Sequence, residues 1–393
     1  MKPESELSCL ACRRRYPASQ VRYRCDCGET LEVVHDLDLL RQRVSREHFD
    51  RRLGSQSLPD RSGVWRYREL ILSVPEEAII SKPEGNTNLY AVGASEPSGL
   101  RRIGRYVGLE RFYLKHEGEN PTGSFKDRGM TVGITQARAL GARAVACAST
   151  GNTSASLAAY AAQAELPCLV FIPQGQIAYG KLSQALAYGA LNLQIAGDFD
   201  AAMRLVQQAC QELDIYLLNS LNPFRIEGQK SIAFEILQQL AWQSPDWIVL
   251  PAGNLGNTSA LGKAVREAQA LGLIERLPRL AAVQAAGANP FYQSFQTGFA
   301  ERFTVQAQTV ASAIKIGAPV SYARARRAIE QTNGLVEQVS DAQILEAKAV
   351  VDAAGIGCEP ASAATVAGAK KLVERGLIKP TDQVVGLLTG HLL

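Results

Sequence analysis

The stretch that decides the fold runs from Arg111-Phe-Tyr-Leu-Lys115, through the turn Gly118-Glu119-Asn120-Pro121-Thr122-Gly123-Ser124, into Phe125-Lys126-Asp127-Arg128-Gly129. Residues 111–115 form a short apolar run that reads as a strand. The turn holds the Gly, Asn and Pro that interrupt regular structure. Residues 125–140 read as a helix and 144–148 as the next strand. Strands joined through a helix pair in parallel, because a parallel pair needs a long crossover.

The rhythm continues along the chain. Helices are expected over 153–164, 181–188, 199–213, 228–241, 259–271, 341–354 and 361–375. Strands are expected over 168–172, 191–195, 215–218, 247–250, 279–284 and 383–388. The strands are short Val/Ile/Leu runs, as in parallel sheets covered on both faces. There are too many units for one comfortable sheet. The expected class is therefore α/β, with two doubly wound parallel-sheet domains. Residues 41–52 read as a charged helix, and 83–98 as loop with short extended pieces.

Composition fits a globular chain: 46% of 393 residues are hydrophobic and 20% charged. Such a length buries a large core without disulfides or metal. The 42 Lys and Arg barely exceed the 38 Asp and Glu. That excess is too thin for a nucleic-acid partner, and Arg13-Arg14-Arg15 lies among acids. No apolar run approaches the roughly 20 residues of a membrane helix. The N-terminal Glu4 and Glu6 stand where a signal peptide needs positive charge. The expectation is a cytoplasmic protein with no membrane partner.

The eight cysteines form two groups. Cys147, Cys168, Cys210 and Cys358 are scattered through apolar stretches and read as small core residues. Cys9-Leu-Ala-Cys12 and Cys25-Asp-Cys27-Gly28 are two close pairs, as in a small zinc ribbon. The second pair has one intervening residue where two are usual, so a structural zinc, disulfides and free thiols all stay open.

Three turns stand where a strand hands over to a helix, the place where open α/β sheets bind ligands. Pro251-Ala-Gly253-Asn254-Leu255-Gly256-Asn257-Thr258 offers backbone N–H groups to an anion at a helix start. It is neither a Walker A loop nor a dinucleotide fingerprint. Ser149-Thr150-Gly151-Asn152-Thr153 is a second helix start, suited to a carboxylate. Lys126 opens a helix at the end where the macrodipole opposes its charge, which favours a neutral, nucleophilic amine.

Together these turns resemble the Schiff-base segment, substrate-carboxylate loop and cofactor-phosphate loop of pyridoxal-phosphate enzymes of fold type II, the tryptophan synthase β type. Further strings narrow the resemblance to the threonine synthases. They are Lys115-His116-Glu117-Gly118, Ile172-Pro173-Gln174-Gly175 with Gly180-Lys181-Leu182, the run from Asn219-Ser220 through Arg225 to Lys230, and Leu388-Thr389-Gly390-His391. The likeness spans residues 80–393, and the cysteine-rich leader is similar to that of longer members.

The resemblance implies a reaction: O-phospho-L-homoserine and water give L-threonine and phosphate by γ-elimination and β-addition. Lys126 would carry pyridoxal phosphate and shuttle protons, with Phe125 lining the ring. Asn152 would meet the ring hydroxyl and Thr389 the pyridine nitrogen. Gly253, Asn254, Leu255, Gly256 and Asn257 would bind the cofactor phosphate. Ser149, Thr150, Gly151 and Thr153 would hold the substrate carboxylate, and Asn219, Ser220 and Arg225 its phosphate. His116 and His391 would be structural. The implied organisation is a module at 1–45, a large cofactor-binding domain of 46–110 and 220–393, and a smaller domain of 111–219 carrying Lys126. A homodimer is implied too. The alternative is another lyase of this fold, cysteate synthase-like or a threonine/serine dehydratase.

Overall fold

The computed structural model describes residues 5–174, 179–197 and 199–392; Gly175 of the Ile172–Gly175 string lies outside them. The strands are β1 Ser5–Cys9, β2 Arg15–Pro17, β3 Leu31–His35, β4 Leu89–Ala91, β5 Arg111–His116, β6 Val145–Ala148, β7 Cys168–Pro173, β8 Leu191–Ile195, β9 Tyr216–Leu217, β10 Trp247–Pro251, β11 Arg279–Ala285, β12 Leu335–Val339 and β13 Gln383–Leu388. No described helix is long and apolar enough to cross a membrane.

The chain divides into two compact units. One takes residues up to 86 and 120–231; the other takes 87–119 and 232–392. The first holds a parallel sheet ordered β8-β7-β6-β9 and an antiparallel sheet ordered β2-β1-β3. Val145, Cys147, Val170 and Ile172 pack there against Met130, Ile134, Leu157 and Tyr160. The second holds a sheet ordered β12-β11-β10-β13-β5-β4, parallel except for the β4–β5 pair. Phe112, Leu114, Val249, Val283 and Leu388 form its core with Ala363, Ala367 and Leu372.

This division departs from the implied domain boundaries. β5 was expected in the lysine-bearing domain, but it pairs with β13 in register from Gln383↔Arg111 to Leu388↔His116. Residues 46–86 and 220–231 fall in the lysine-bearing unit. The boundary lies inside helix Pro223–Gln239.

Two helices start earlier than their periodicity suggests, and both matter. The helix expected over 228–241 begins at Pro223. Proline suits the first helical position, and Asn222 Oδ1 accepts from Phe224 N–H at 2.9 Å. Gly228 is thus interior. A Cβ there would lie 1.8 Å from the Arg128 carbonyl oxygen, and one on Gly129 3.0 Å from that of Arg225. Glycines let helices Lys126–Ala139 and Pro223–Gln239 touch backbone to backbone. The helix expected from 259 begins at Gly256, so half of the Gly/Asn turn is already its first turn. Among the elements that the pattern did not disclose are β1–β3, β12 and helices Leu58–Arg61, Arg68–Ile71, Arg101–Val107, Pro290–Gln296 and Tyr322–Gln331, whereas β4 is one of the short extended pieces expected within 83–98. The strands among them are short, and β12 carries a buried glutamate, Glu337, paired with Arg375.

Gly228→Ala should lose about 3 kcal/mol of stability or more, because backbone collision cannot be relieved by a rotamer change. Gly99→Ala, where a Cβ meets nothing within 4 Å, should stay within about 1 kcal/mol of wild type. Denaturant melts of the two variants check this.

Candidate functional site

Lys126 is the first residue of helix Lys126–Ala139 and is half-buried. Its Nζ lies 4.1 Å from the Phe125 ring centroid. The loop before it is tied down by the next residue. Asp127 accepts from Thr122 N–H at 2.7 Å, from Thr122 Oγ1 at 2.6 Å and from Ser156 Oγ at 2.5 Å. Lys181 Nζ donates to the Thr122 carbonyl at 3.1 Å, and Asn120 Oδ1 accepts from Gly85 N–H at 2.9 Å. Burial pushes the Asp127 carboxyl up to about 6, against the pull of its hydrogen bonds. Asp127 and Ser156 had no role in the sequence reading, although Asp127 stands beside the lysine.

Ser156 belongs to helix Asn152–Gln163, which starts in the second predicted loop. Ser149, Thr150, Gly151, Asn152 and Thr153 are all half-exposed there. Ser149 Oγ accepts from Gly151 N–H at 3.2 Å. The first amides of a helix have no intrahelical acceptor, so this start can receive an anion.

Asn219 faces that loop from below. Its Oδ1 accepts from Ala148 N–H and its Nδ2 donates to the Ala148 carbonyl, both at 2.9 Å. That amide therefore joins the segment after β9 to the end of β6. Ser220 is half-exposed. Lys230 is spent on Glu227, at 2.6 Å, and on the Leu70 carbonyl.

Arg225 is different. It lies in the first turn of helix Pro223–Gln239, 1% exposed, and Nε, Nη1 and Nη2 are buried with no hydrogen-bond partner among the described residues. Burial pulls its guanidinium down to about 10. A buried charge without partners is among the most costly groups a protein can hold. Five donors in a planar fork fit a phosphate.

The second unit supplies the third loop. Leu255 is left-handed, with φ 65°, and Gly256 opens helix Gly256–Ala270. Asn254 is clamped: its carbonyl accepts from Ser321 N–H at 3.2 Å. A Cβ on Gly253 would lie 2.9 Å from Ile314 Cα, so only glycine fits. Asn257 Oδ1, Thr258 Oγ1, Ser321 Oγ and Tyr322 Oη are buried without hydrogen-bond partners. Hydroxyls and first-turn amides at one helix start fit a bound phosphate group. Ser321 and Tyr322 were not expected, since nothing local in their sequence marks them.

Thr389 is buried in the same unit. Its Oγ1 lies 3.1 Å from Ser362 Oγ and 3.3 Å from Glu359 Oε1. His116 accepts from Gly118 N–H at Nδ1 and meets the Gly357 carbonyl at Nε2, stacked 5.6 Å from His391. Both ring nitrogens are thus engaged with backbone.

Two outcomes follow. Arg225→Leu should raise the unfolding midpoint of the ligand-free protein by about 3 °C, because it removes an unpaired buried charge; a lowered midpoint contradicts the reading. Asp127 has a folded value of about 6 against an ordinary 3.8. The folded state therefore holds the proton more tightly, and this group's stabilisation is lost as pH rises from about 4 to 6. The stability of wild type relative to Asp127→Asn should fall across that window, measured by denaturant melts at each pH.

Comparison with known proteins agrees with this geometry. The family described as pyridoxal-phosphate dependent enzymes matches residues 80–390. Threonine synthase of Methanocaldococcus jannaschii is 44% identical over 98% of this chain and 91% of its own length. That of Methanosarcina acetivorans is 45% identical over 98% and 91%. Among solved structures, Escherichia coli threonine synthase has a TM-score of 0.72 over 98% of this chain and 88% of its own, at 19% identity. Maize serine racemase has one of 0.67 over 79% and 89%, at 21% identity. Both structures share the α/β fold. The chain belongs to the pyridoxal-phosphate dependent enzymes and, within them, to the threonine synthase family.

Proposed function

We propose that the chain converts O-phospho-L-homoserine and water to L-threonine and inorganic phosphate, with pyridoxal phosphate bound through Lys126. The observation that carries the substrate assignment is the buried guanidinium of Arg225, whose three nitrogens have no hydrogen-bond partner. Its charge is compensated when a phosphorylated substrate arrives, so binding energy goes to the group that must later leave.

The cofactor supplies an electron sink for charge developing beside the substrate amine. Everything else falls to the chain's own residues. Gly253, Asn254, Leu255, Gly256 and Asn257 hold the cofactor phosphate, helped by the Thr258, Ser321 and Tyr322 hydroxyls. Asn152 meets the ring hydroxyl, Thr389 the pyridine nitrogen, and Phe125 lines the ring. Ser149, Thr150, Gly151 and Thr153 orient the substrate carboxylate. Lys126 Nζ takes a proton from the α carbon and then one from the β carbon as the phosphate leaves, and returns protons at the γ carbon and, after water has added at the β carbon, at the α carbon. Asp127 keeps that amine in place by anchoring Thr122 and Ser156. Ser220 and Arg225 receive the leaving phosphate, and Asn219 positions them.

The near-balanced charge supports a protein without a nucleic-acid partner. The absence of a membrane-spanning helix among the described residues supports a cytoplasmic place. The family resemblance supports a homodimer.

Incubation of the holoenzyme with O-phospho-L-homoserine should release phosphate and threonine in equal amounts, and Lys126→Ala should abolish both. Phosphate with 2-oxobutyrate in place of threonine would make the chain an eliminating lyase.

A further inference from the structure

We propose that Cys9, Cys12, Cys25 and Cys27 bind a structural zinc ion, and that the hairpin it pins braces the segment from β9 to Arg225. The brace rests on the reading of Arg225 given above; the metal site does not.

The sulfur geometry selects among the three states that the spacing left open. The four Sγ atoms lie within 4.8 Å of one another. Cys9 and Cys27 are 3.5 Å apart, as are Cys12 and Cys25. A disulfide needs about 2.05 Å. A tetrahedron with zinc–sulfur bonds of about 2.3 Å has edges near 3.8 Å. Cys9 ends β1, and its N–H donates to the Arg14 carbonyl in a turn. Gly28, with φ 87°, closes the turn after Cys27, where Gly28 N–H donates to the Cys25 carbonyl. Four thiolates close the coordination sphere, so the ion is structural.

The hairpin that follows Cys12 reaches the substrate-phosphate segment directly. Tyr23 Oη accepts from Leu217 N–H at 2.8 Å, and its ring meets Tyr216 edge-on at 6.0 Å. Leu217 lies two residues before Asn219. The Ala18 carbonyl accepts from Gln136 Nε2 at 3.0 Å, on the helix that Lys126 opens. His35, at the end of β3, meets Glu227 at 2.7 Å, two residues beyond Arg225. The module thus grips both sides of the phosphate residues. No disulfide joins the two cysteine turns, and without metal they are linked by surface contacts such as Arg14–Asp26 and Tyr16–Asp26 among the described residues.

Holoenzyme purified without chelator should contain one zinc per chain. Less than about a tenth of an equivalent, with the thiols reduced, overturns the metal site. Cys12→Ser/Cys27→Ser changes the two exposed ligands. It should lose zinc, speed amide exchange over 216–225, and raise KM for O-phospho-L-homoserine roughly tenfold, with cofactor absorbance kept. Tyr23→Phe should keep zinc, speed exchange at Leu217 and raise KM about threefold. Unchanged exchange in both variants overturns the brace. If the double variant does not fold, Tyr23→Phe decides alone. If wild type ignores phosphohomoserine, the substrate reading fails, while metal content and exchange still decide this one.

Discussion

The contact between Gly228 and the Arg128 carbonyl sets the rest of the lysine-bearing unit. No side chain fits between the two helices at that point. One helix begins at Lys126 and the other carries Arg225 in its first turn. Backbone contact fixes where both helix starts stand, with none of the play that a layer of side chains allows. Asp127, Asn219 and Ser156 then tie the intervening loops to that frame. Lys126 and Arg225 are thus positioned by rigid elements rather than by loops.

Each of the two units holds buried polar groups without a hydrogen-bond partner. A guanidinium at 1% exposure without a hydrogen-bond partner is destabilising in isolation. So are four unpartnered polar atoms around the helix that opens at Gly256. Such deficits cluster where a ligand completes the hydrogen bonding. The Arg225 guanidinium and the Thr258 and Ser321 hydroxyls are donors, the complement of a phosphate group, while Asn257 Oδ1 is an acceptor. Stability is given up in the empty state and recovered on binding.

Much of this was legible in the sequence. Lys126, the 149–153 loop and the 253–257 loop were singled out because glycine, asparagine and hydroxyl residues at strand–helix junctions have a local physical purpose, and all three lie at helix starts. Arg225 was singled out as a candidate phosphate ligand but placed on a loop, since Gly228 read as a helix start when it is a packing position. The pairing of Asn219 with Ala148 is a tertiary fact that no local pattern announces. Ser321 and Tyr322 escaped for the same reason: they are some 60 residues from the loop they complete. Strand β5 was grouped with its sequence neighbours, whereas its hydrogen bonds go to β13, at the far end of the chain.

The central claim is that Arg225 is held unpaired for the leaving phosphate. The most direct measurement compares kcat/KM of wild type and Arg225→Leu on two substrates, O-phospho-L-homoserine and unphosphorylated L-threonine as a slow deamination substrate. The account predicts a loss of about a hundredfold or more on the first, in line with a charge-assisted bidentate contact, and little change on the second. Equal losses on both, with cofactor content unchanged, would contradict it.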